Sequence, residues 1–199
     1  MSDQENIDLS SLSETDKYYL KGGFRYDPKW GKEFIENATS LANGKGRLLD
    51  LACGDGFWSF ILAEWYEVTG EDLSRGGIHM ARKRREEEGK SLRFELKDSL
   101  EETEMFDIVF ARGPSFWSNK EPNDPQFALG LERVVARTRK KLVYITYTVP
   151  PYGQFNETKS SYYHDPGVIQ EKFSKFGDTA MTMDGNYLVC ELDKTVKKV

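Results

Sequence analysis

The sequence predicts an α/β fold: a doubly wound, mostly parallel sheet of seven strands with helices on both faces, closed by a C-terminal antiparallel hairpin. Three observations predict it. From Arg47 onward, short apolar runs alternate with helical patterns, the arrangement of strands joined by crossover helices. The first of these strands ends in a glycine-rich turn, Asp50-Leu51-Ala52-Cys53-Gly54-Asp55-Gly56. Near the C-terminus, two apolar runs flank Asp184-Gly185-Asn186, a reversal signal for adjacent antiparallel strands.

Each element follows from its own residues. Residues 1–16 are rich in Ser, Asp, Glu and Asn without a sustained period and read as a flexible arm; residues 17–45 read as a lid and first helix ahead of a core spanning 46–192. Pro28 opens a helix to about Leu41, with Trp30, Phe34, Ile35 and Ala38 on one face and Asn43-Gly44 as its stop. Strand Arg47 to Leu51 leads to a helix from Phe57 to Glu64. Strand Glu67 to Glu71 leads to a helix from Ser74, its N-cap, to Glu88, stopped by Gly89. Strands Leu92 to Leu96 and Phe106 to Ala111 follow, then a helix opened by Asp124-Pro125 and running to about Arg139. Its closing Arg137, Arg139 and Lys140 suit the negative end of the helix dipole. Strand Leu142 to Tyr147, apolar at most positions, reads as central. A long loop, Thr148 to Asp165, precedes a helix from Pro166 to Phe176, and strands Thr179 to Met183 and Tyr187 to Leu192 close the sheet.

Composition bounds the function. The 199 residues suffice for one well-buried core and fall short of two, so a single domain over 1–199 is expected. No apolar run approaches the roughly 18 residues of a membrane span, and Met1-Ser2-Asp3-Gln4-Glu5 has no secretion-signal pattern, so the expected setting is cytoplasmic, without membrane attachment. Cys53 and Cys190 have no metal-ligand spacing and read as reduced, buried thiols. The net charge of -5 argues against a nucleic-acid partner, which normally needs a basic face. Oligomeric state leaves no signal here.

The glycine turn is followed by Val68-Thr69-Gly70-Glu71-Asp72-Leu73-Ser74, so that two adjacent strands each end in an acid. Glycines let the backbone approach a ligand closely, and a carboxylate at the neighbouring strand end can accept both hydroxyls of a ribose. A nicotinamide-binding turn would carry a third glycine where Ser59 stands. In this order the motifs resemble those of the class I S-adenosylmethionine-dependent methyltransferases, whose fold is Rossmann-like, over roughly Arg47 to Leu192. Asp50 to Gly56 is similar to the family's first motif, with Ala52 in place of its first glycine.

The resemblance implies S-adenosylmethionine as cofactor and assigns residues to it. Asp72 would hold the ribose diol and Leu73 would lie against adenine. Lys97-Asp98-Ser99 matches the place where an aspartate binds the adenine amino group. Ala52, Cys53, Gly54, Gly56, Trp58, Ser99 and Ala111 complete the cofactor set. Asp50 either supports the methionine ammonium, directly or through water, or caps the turn's amides. Arg25, in Gly22-Gly23-Phe24-Arg25-Tyr26, would clamp the methionine carboxylate with its planar fork, and Lys17, Tyr18, Tyr19 and Tyr26 would line the same lid.

Residues from three segments are expected on the acceptor side. Arg112, in Ala111-Arg112-Gly113-Pro114-Ser115-Phe116-Trp117, would face an anionic acceptor, with Phe116 and Trp117 flanking it. His164 would take a proton near pH 7 from the covering loop, or else serve structurally beside a helix N-cap. Tyr152 ends Val149-Pro150-Pro151-Tyr152, which departs from the Pro-Pro-Tyr motif of nucleic-acid amino methyltransferases in having Val149 as its first residue and in following the fifth strand. No acid stands where metal-dependent relatives carry one, so no metal is expected. The function expected is metal-independent methyl transfer to a small-molecule acceptor by in-line displacement. The alternatives are a protein or RNA methyltransferase and a non-catalytic S-adenosylmethionine-binding module.

Overall fold

Local signals set most of the element ends. The computed structural model describes residues 11–23, 26–157 and 161–196. Its first helix, α1 (Glu14–Leu20), begins inside the span expected to be an arm, because Ser13 and Asp16 form a capping box in which each side chain bonds the other's backbone. Residues 1–10 lie outside the described residues. Helix α2 (Pro28–Ala38) starts on Pro28 behind the N-cap Asp27 and ends three residues earlier than expected, where Thr39 turns extended.

Next come β1 (Arg47–Leu51), α3 (Phe57–Leu62), β2 (Glu67–Asp72), α4 (Arg75–Glu88), β3 (Arg93–Leu96) and β4 (Phe106–Arg112). Ser74 caps α4 by accepting from Gly77 N–H, and Gly89 ends it at φ 61°, as the sequence predicts. A short α5 (Ser115–Ser118) and α6 (Pro125–Arg137) lead to β5 (Thr138–Tyr147). The helix expected to reach Arg139 stops at Arg137 because the next residues join the sheet, Thr138 opposite Phe106 and Lys141 opposite Ile108. Lys194 Nζ donates to the carbonyls of Val135 and Thr138 at this helix end.

The long loop after β5 holds a small hairpin, β6 (Gln154–Asn156) and β7 (Ser161–Tyr163), that no local signal announced. Helix α7 (Pro166–Phe173) and the hairpin of β8 (Asp178–Asp184) and β9 (Tyr187–Asp193) finish the chain's elements, with Gly185 at φ 56° in the turn.

The sheet order is β3-β2-β1-β4-β5-β9-β8. All neighbours are parallel except β5 with β9 and β9 with β8. Strand alternation divides the core in two. Leu48, Phe110, Val143 and Ile145 face α2, α3 and α4; Leu49, Leu51, Val109, Leu142 and Tyr144 face Trp117, Phe127, Leu131 and Phe173 on the other side. The strand order reverses between β1 and β4. The turns after β1, β2 and β4 therefore open at one end of the sheet, where this class of fold takes its ligand.

Candidate functional site

A cleft of about 300 Å³ lies at that end, walled by residues after β1, β2, β3 and β4 and by α1. The turn after β1 is tight. Gly54 at φ 56° and Gly56 at φ 79° adopt a left-handed backbone that side chains disfavour, and Ala52 does so at φ 59° in place of a glycine. A Cβ on Gly54 would lie 2.4 Å from the Tyr19 hydroxyl, so the residue brought close there is α1's tyrosine. A Cβ on Gly56 would meet Phe94 at 2.9 Å.

Asp72 ties the two strand ends together. One carboxylate oxygen accepts from Gly54 N–H at 2.8 Å and the other from Ser74 N–H at 2.7 Å. Each oxygen keeps a further acceptor position, as binding of a ribose diol requires. Burial raises the Asp72 pKa against these bonds. Leu73, 69% exposed, lies on the wall beside it, an apolar surface for a planar base. Asp98 and the buried Ser99 lie on the wall contributed by the loop after β3. Asp98 accepts from Leu100 N–H at 2.9 Å.

That loop is held from beneath by a buried ion pair. Arg137 donates from Nη1 and Nη2 to the two Glu71 oxygens at 2.8 and 2.9 Å, and from Nη1 to the Ser99 carbonyl at 2.9 Å; the two side chains are 2% and 0% exposed. Arg137, in the last turn of α6 as expected, thus also serves β2 and the Ser99 loop.

Helix α1 supplies Thr15 and Tyr19 to the wall, with Tyr26 following. It docks through Asp16, whose Oδ1 accepts from Ser74 Oγ at 2.7 Å and Gly76 N–H at 2.9 Å in the first turn of α4. A Cβ on Gly76 would approach the Asp16 carbonyl to 2.3 Å, so the contact needs glycine. Burial alone would raise the Asp16 pKa, but hydrogen bonds from Gly76, Ser13 and Ser74 prevail and hold it down to about 2.

A second cavity of about 650 Å³ shares Thr15, Tyr19, Tyr26, Arg112, Gly113 and Ser115 with the first. Tyr147 and Tyr187 stand on its far side. Arg112 lies at the shared wall. Its Nη2 donates to the Tyr26 hydroxyl at 2.9 Å and to that of Tyr187 at 3.4 Å, and its guanidinium sits 5.0 Å from the Tyr26 ring centre, 5.7 Å from Trp58 and 5.5 Å from Tyr187.

Of the residues expected at the cofactor, Ala52, Cys53, Trp58, Asp72, Leu73, Asp98 and Ser99 line the first cleft. Gly54 and Gly56 shape its turn. Asp50 is not on the wall: 2% exposed, it accepts from Ser59 Oγ at 2.5 Å, and burial first, then the charge of Asp72, pushes its pKa up to about 7. Ala111 is fully buried inside β4, away from the wall. Arg25 lies outside the described residues.

On the acceptor side Arg112 lines both cavities, but His164 and Tyr152 line neither. His164 is fully buried. Its Nε2–H donates to the Lys120 carbonyl at 2.9 Å, Nδ1 faces the Tyr144 hydroxyl at 3.3 Å, and burial lowers its pKa to about 4. Of the two readings open for it, a base on the covering loop or a structural residue beside a helix N-cap, this burial fits the structural one. Tyr152 follows the Pro150-Pro151 bond on the segment leading into β6. Phe116 lines the cofactor cleft, whereas Trp117 is buried against Tyr144 and Phe173 and donates to the Phe127 carbonyl. Thr15 and Asp16 were missed, although Ser13-Glu14-Thr15-Asp16 has the spacing of a capping box; Tyr19, expected to line a lid, lines both cavities.

Among the described residues, no group of three or more His, Cys, Asp or Glu is placed to hold a metal ion, and no helix is long and apolar enough to cross a membrane.

Comparison with known proteins agrees with this geometry. Residues 48–137 match a family model described as a methyltransferase domain. No curated protein matches the sequence. Among solved structures, magnesium protoporphyrin IX methyltransferase (ChlM) from Synechocystis PCC 6803 with bound SAH superposes with a TM-score of 0.65 at 14% identity, over 90% of this chain and 92% of that one. The DhpI-SAH complex gives 0.64 at 18% identity, over 89% and 93%. The PH0226 protein from Pyrococcus horikoshii OT3 gives 0.63 at 19% identity, over 81% and 85%. At these identities the structures speak for a shared fold.

Proposed function

We propose that this chain, whose residues 48–137 match a methyltransferase domain and whose sheet order is that of a doubly wound fold, is an S-adenosylmethionine-dependent methyltransferase that methylates a small-molecule acceptor by metal-independent, in-line displacement. The observation that carries the reading is the shared wall: the cleft at the ends of β1 and β2 adjoins a cavity of about 650 Å³, within the size range of small-molecule sites. S-adenosylmethionine supplies a methyl group made electrophilic by its sulfonium. The chain's own residues bind, orient and exclude water.

Asp72 would take the ribose hydroxyls on the acceptor positions its backbone bonds leave open. Leu73 and Phe116 offer apolar surface for adenine, and Asp98 an acceptor for its amino group. Tyr19 and Thr15, held by the Asp16 dock, cover the turn and shield the cleft from water. Arg112 and the tyrosines around it would hold the acceptor. A cytoplasmic setting belongs to this proposal; Cys53 and Cys190 are free, buried thiols. The net charge of -5 supports a small acceptor over RNA.

Calorimetric titration with S-adenosylmethionine and S-adenosylhomocysteine tests the proposal. Both should bind, and Asp72→Ala should weaken binding roughly 10- to 100-fold, the contribution of one or two charge-assisted hydrogen bonds. Folded protein that binds neither compound would reject it.

A further inference from the structure

We infer that Thr146, near the end of β5, is a specificity-determining residue of the second cavity, where its hydroxyl oxygen accepts a hydrogen from an alcohol or amine group of the methyl acceptor. This rests on the methyl-transfer reading above. Thr146 lies on the wall of the cavity of about 650 Å³ and directly follows Ile145, the sheet partner of Arg112 on the wall that both cavities share. The residue is 1% exposed, and its Oγ1 has no hydrogen-bond partner. A buried hydroxyl in that state destabilises a fold, so native proteins leave few of them. Among the described residues the only other buried side-chain oxygen or nitrogen in that state belongs to Thr179, which lines neither cavity.

The hydrogens around Thr146 show which kind of partner is missing. His164 Nε2–H is committed to the Lys120 carbonyl, which can only accept, so Nδ1 carries a lone pair and takes the Tyr144 hydroxyl hydrogen. Burial raises the Tyr144 pKa and the Thr146 hydroxyl lowers it, so the two hydroxyls are close, yet they lack the geometry of a hydrogen bond. Ser118 and Ser161 line the same cavity. Ser118 gives its hydrogen to the Gly113 carbonyl at 3.0 Å or to Asn119 Oδ1 at 3.2 Å, and Ser161 gives its own to the Ser118 carbonyl at 3.4 Å. Tyr144, Ser118 and Ser161 therefore have no hydrogen left for Thr146. The Tyr144 oxygen keeps a lone pair toward which the Thr146 hydrogen can turn, so what the protein does not supply is a donor. Rotamer changes of wall side chains on binding are common, and such a change would open the hydroxyl to an incoming O–H or N–H. The same cavity carries the rings of Tyr19 and Tyr187, which suit an apolar body behind that group.

The test is binding of probes that share one frame of heavy atoms. 1-Phenylethanol and 1-phenylethylamine can give a hydrogen, acetophenone only accepts one, and isopropylbenzene does neither. Each is titrated, by ligand-observed NMR, into the full chain saturated with S-adenosylhomocysteine, for the natural sequence, Thr146→Val and Thr146→Ser. At least one of the two donors should bind about threefold or more tightly than both the ketone and the hydrocarbon, the worth of one neutral hydrogen bond. Thr146→Val exchanges the unpartnered hydroxyl for a methyl group, so it should unfold at no lower denaturant concentration than the natural protein and should erase that preference; Thr146→Ser should keep it. The two donors separate alcohol from amine recognition. A preference below about threefold in the natural protein, a comparison that needs no variant to fold, overturns the inference, as does a preference that persists in folded Thr146→Val. Failure of S-adenosylhomocysteine itself to bind would instead overturn the methyl-transfer reading.

Discussion

Replacing Asp16 with Ala removes the link between α1 and the cleft it walls. Within the capping box the carboxylate receives Ser13 N–H at 3.0 Å and Ser13 Oγ–H at 2.7 Å; from α4 it receives Ser74 Oγ–H and Gly76 N–H. These bonds bring its pKa from the ordinary 3.8 to about 2. At 1.36 kcal/mol per unit the shift corresponds to at most about 2.5 kcal/mol, and allowance for solvent screening leaves about 1.5–2 kcal/mol. The folded pKa lies below the unfolded one, so this contribution is complete above about pH 4 and lost as pH falls through about 2. Undocked, α1 would carry Thr15 and Tyr19 away from the cofactor cleft and Tyr18 from the second cavity. At pH 7, Asp16→Ala should speed tryptic cleavage at Lys17 and Lys21 by roughly 10- to 30-fold, if opening is fast relative to cleavage. The same change should weaken S-adenosylhomocysteine binding roughly tenfold. Cleavage and affinity both within twofold of the natural protein would refute the link.

Three further outcomes are expected. The Asp50 pKa of about 7 exceeds its unfolded value, so its contribution to stability is complete below about pH 4 and lost as pH rises through about 7; denaturant unfolding of Asp50→Asn should show a gain of roughly 1–3 kcal/mol at pH 8 that shrinks toward pH 4. His164, lowered to about 4, works in the opposite direction, its contribution being complete above about pH 6.5 and lost as pH falls toward 4; His164→Leu should flatten that acid limb and leave methyl transfer by the folded protein within threefold, whereas a hundredfold loss in turnover would return the histidine to catalysis. Glu71→Ala strands the buried Arg137 guanidinium, and unfolding should register about 3–5 kcal/mol of lost stability, with weaker cofactor binding through the Ser99 loop; a loss under 1 kcal/mol would show the pair to be dispensable.

What could be read from the chain was local or periodic. The Asp50 to Gly56 turn, Asp72 at its strand end and the Gly185 hairpin declare themselves within a few residues. The apolar runs of β1, β4 and β5 mark strands covered on both faces. The unread part depended on partners distant in sequence. Asp16 finds Ser74 and Gly76 beyond two strands and two helices. His164 stayed open between a loop base and a structural residue because its hydrogen-bond partners, Lys120 and Tyr144, lie 44 and 20 residues earlier. Arg137 and Glu71 each resembled an element-end charge until the fold placed them together. Gly54 reads in the sequence as a site of close approach to a ligand; the group the fold brings close to it is the Tyr19 hydroxyl.

A crystal structure with S-adenosylhomocysteine should show both ribose hydroxyls on Asp72, adenine between Leu73 and Phe116 with its amino group at Asp98, and the sulfur turned toward Arg112 and the larger cavity. A nucleoside bound away from Asp72, or a sulfur facing a wall with no open path to Arg112, would contradict that placement.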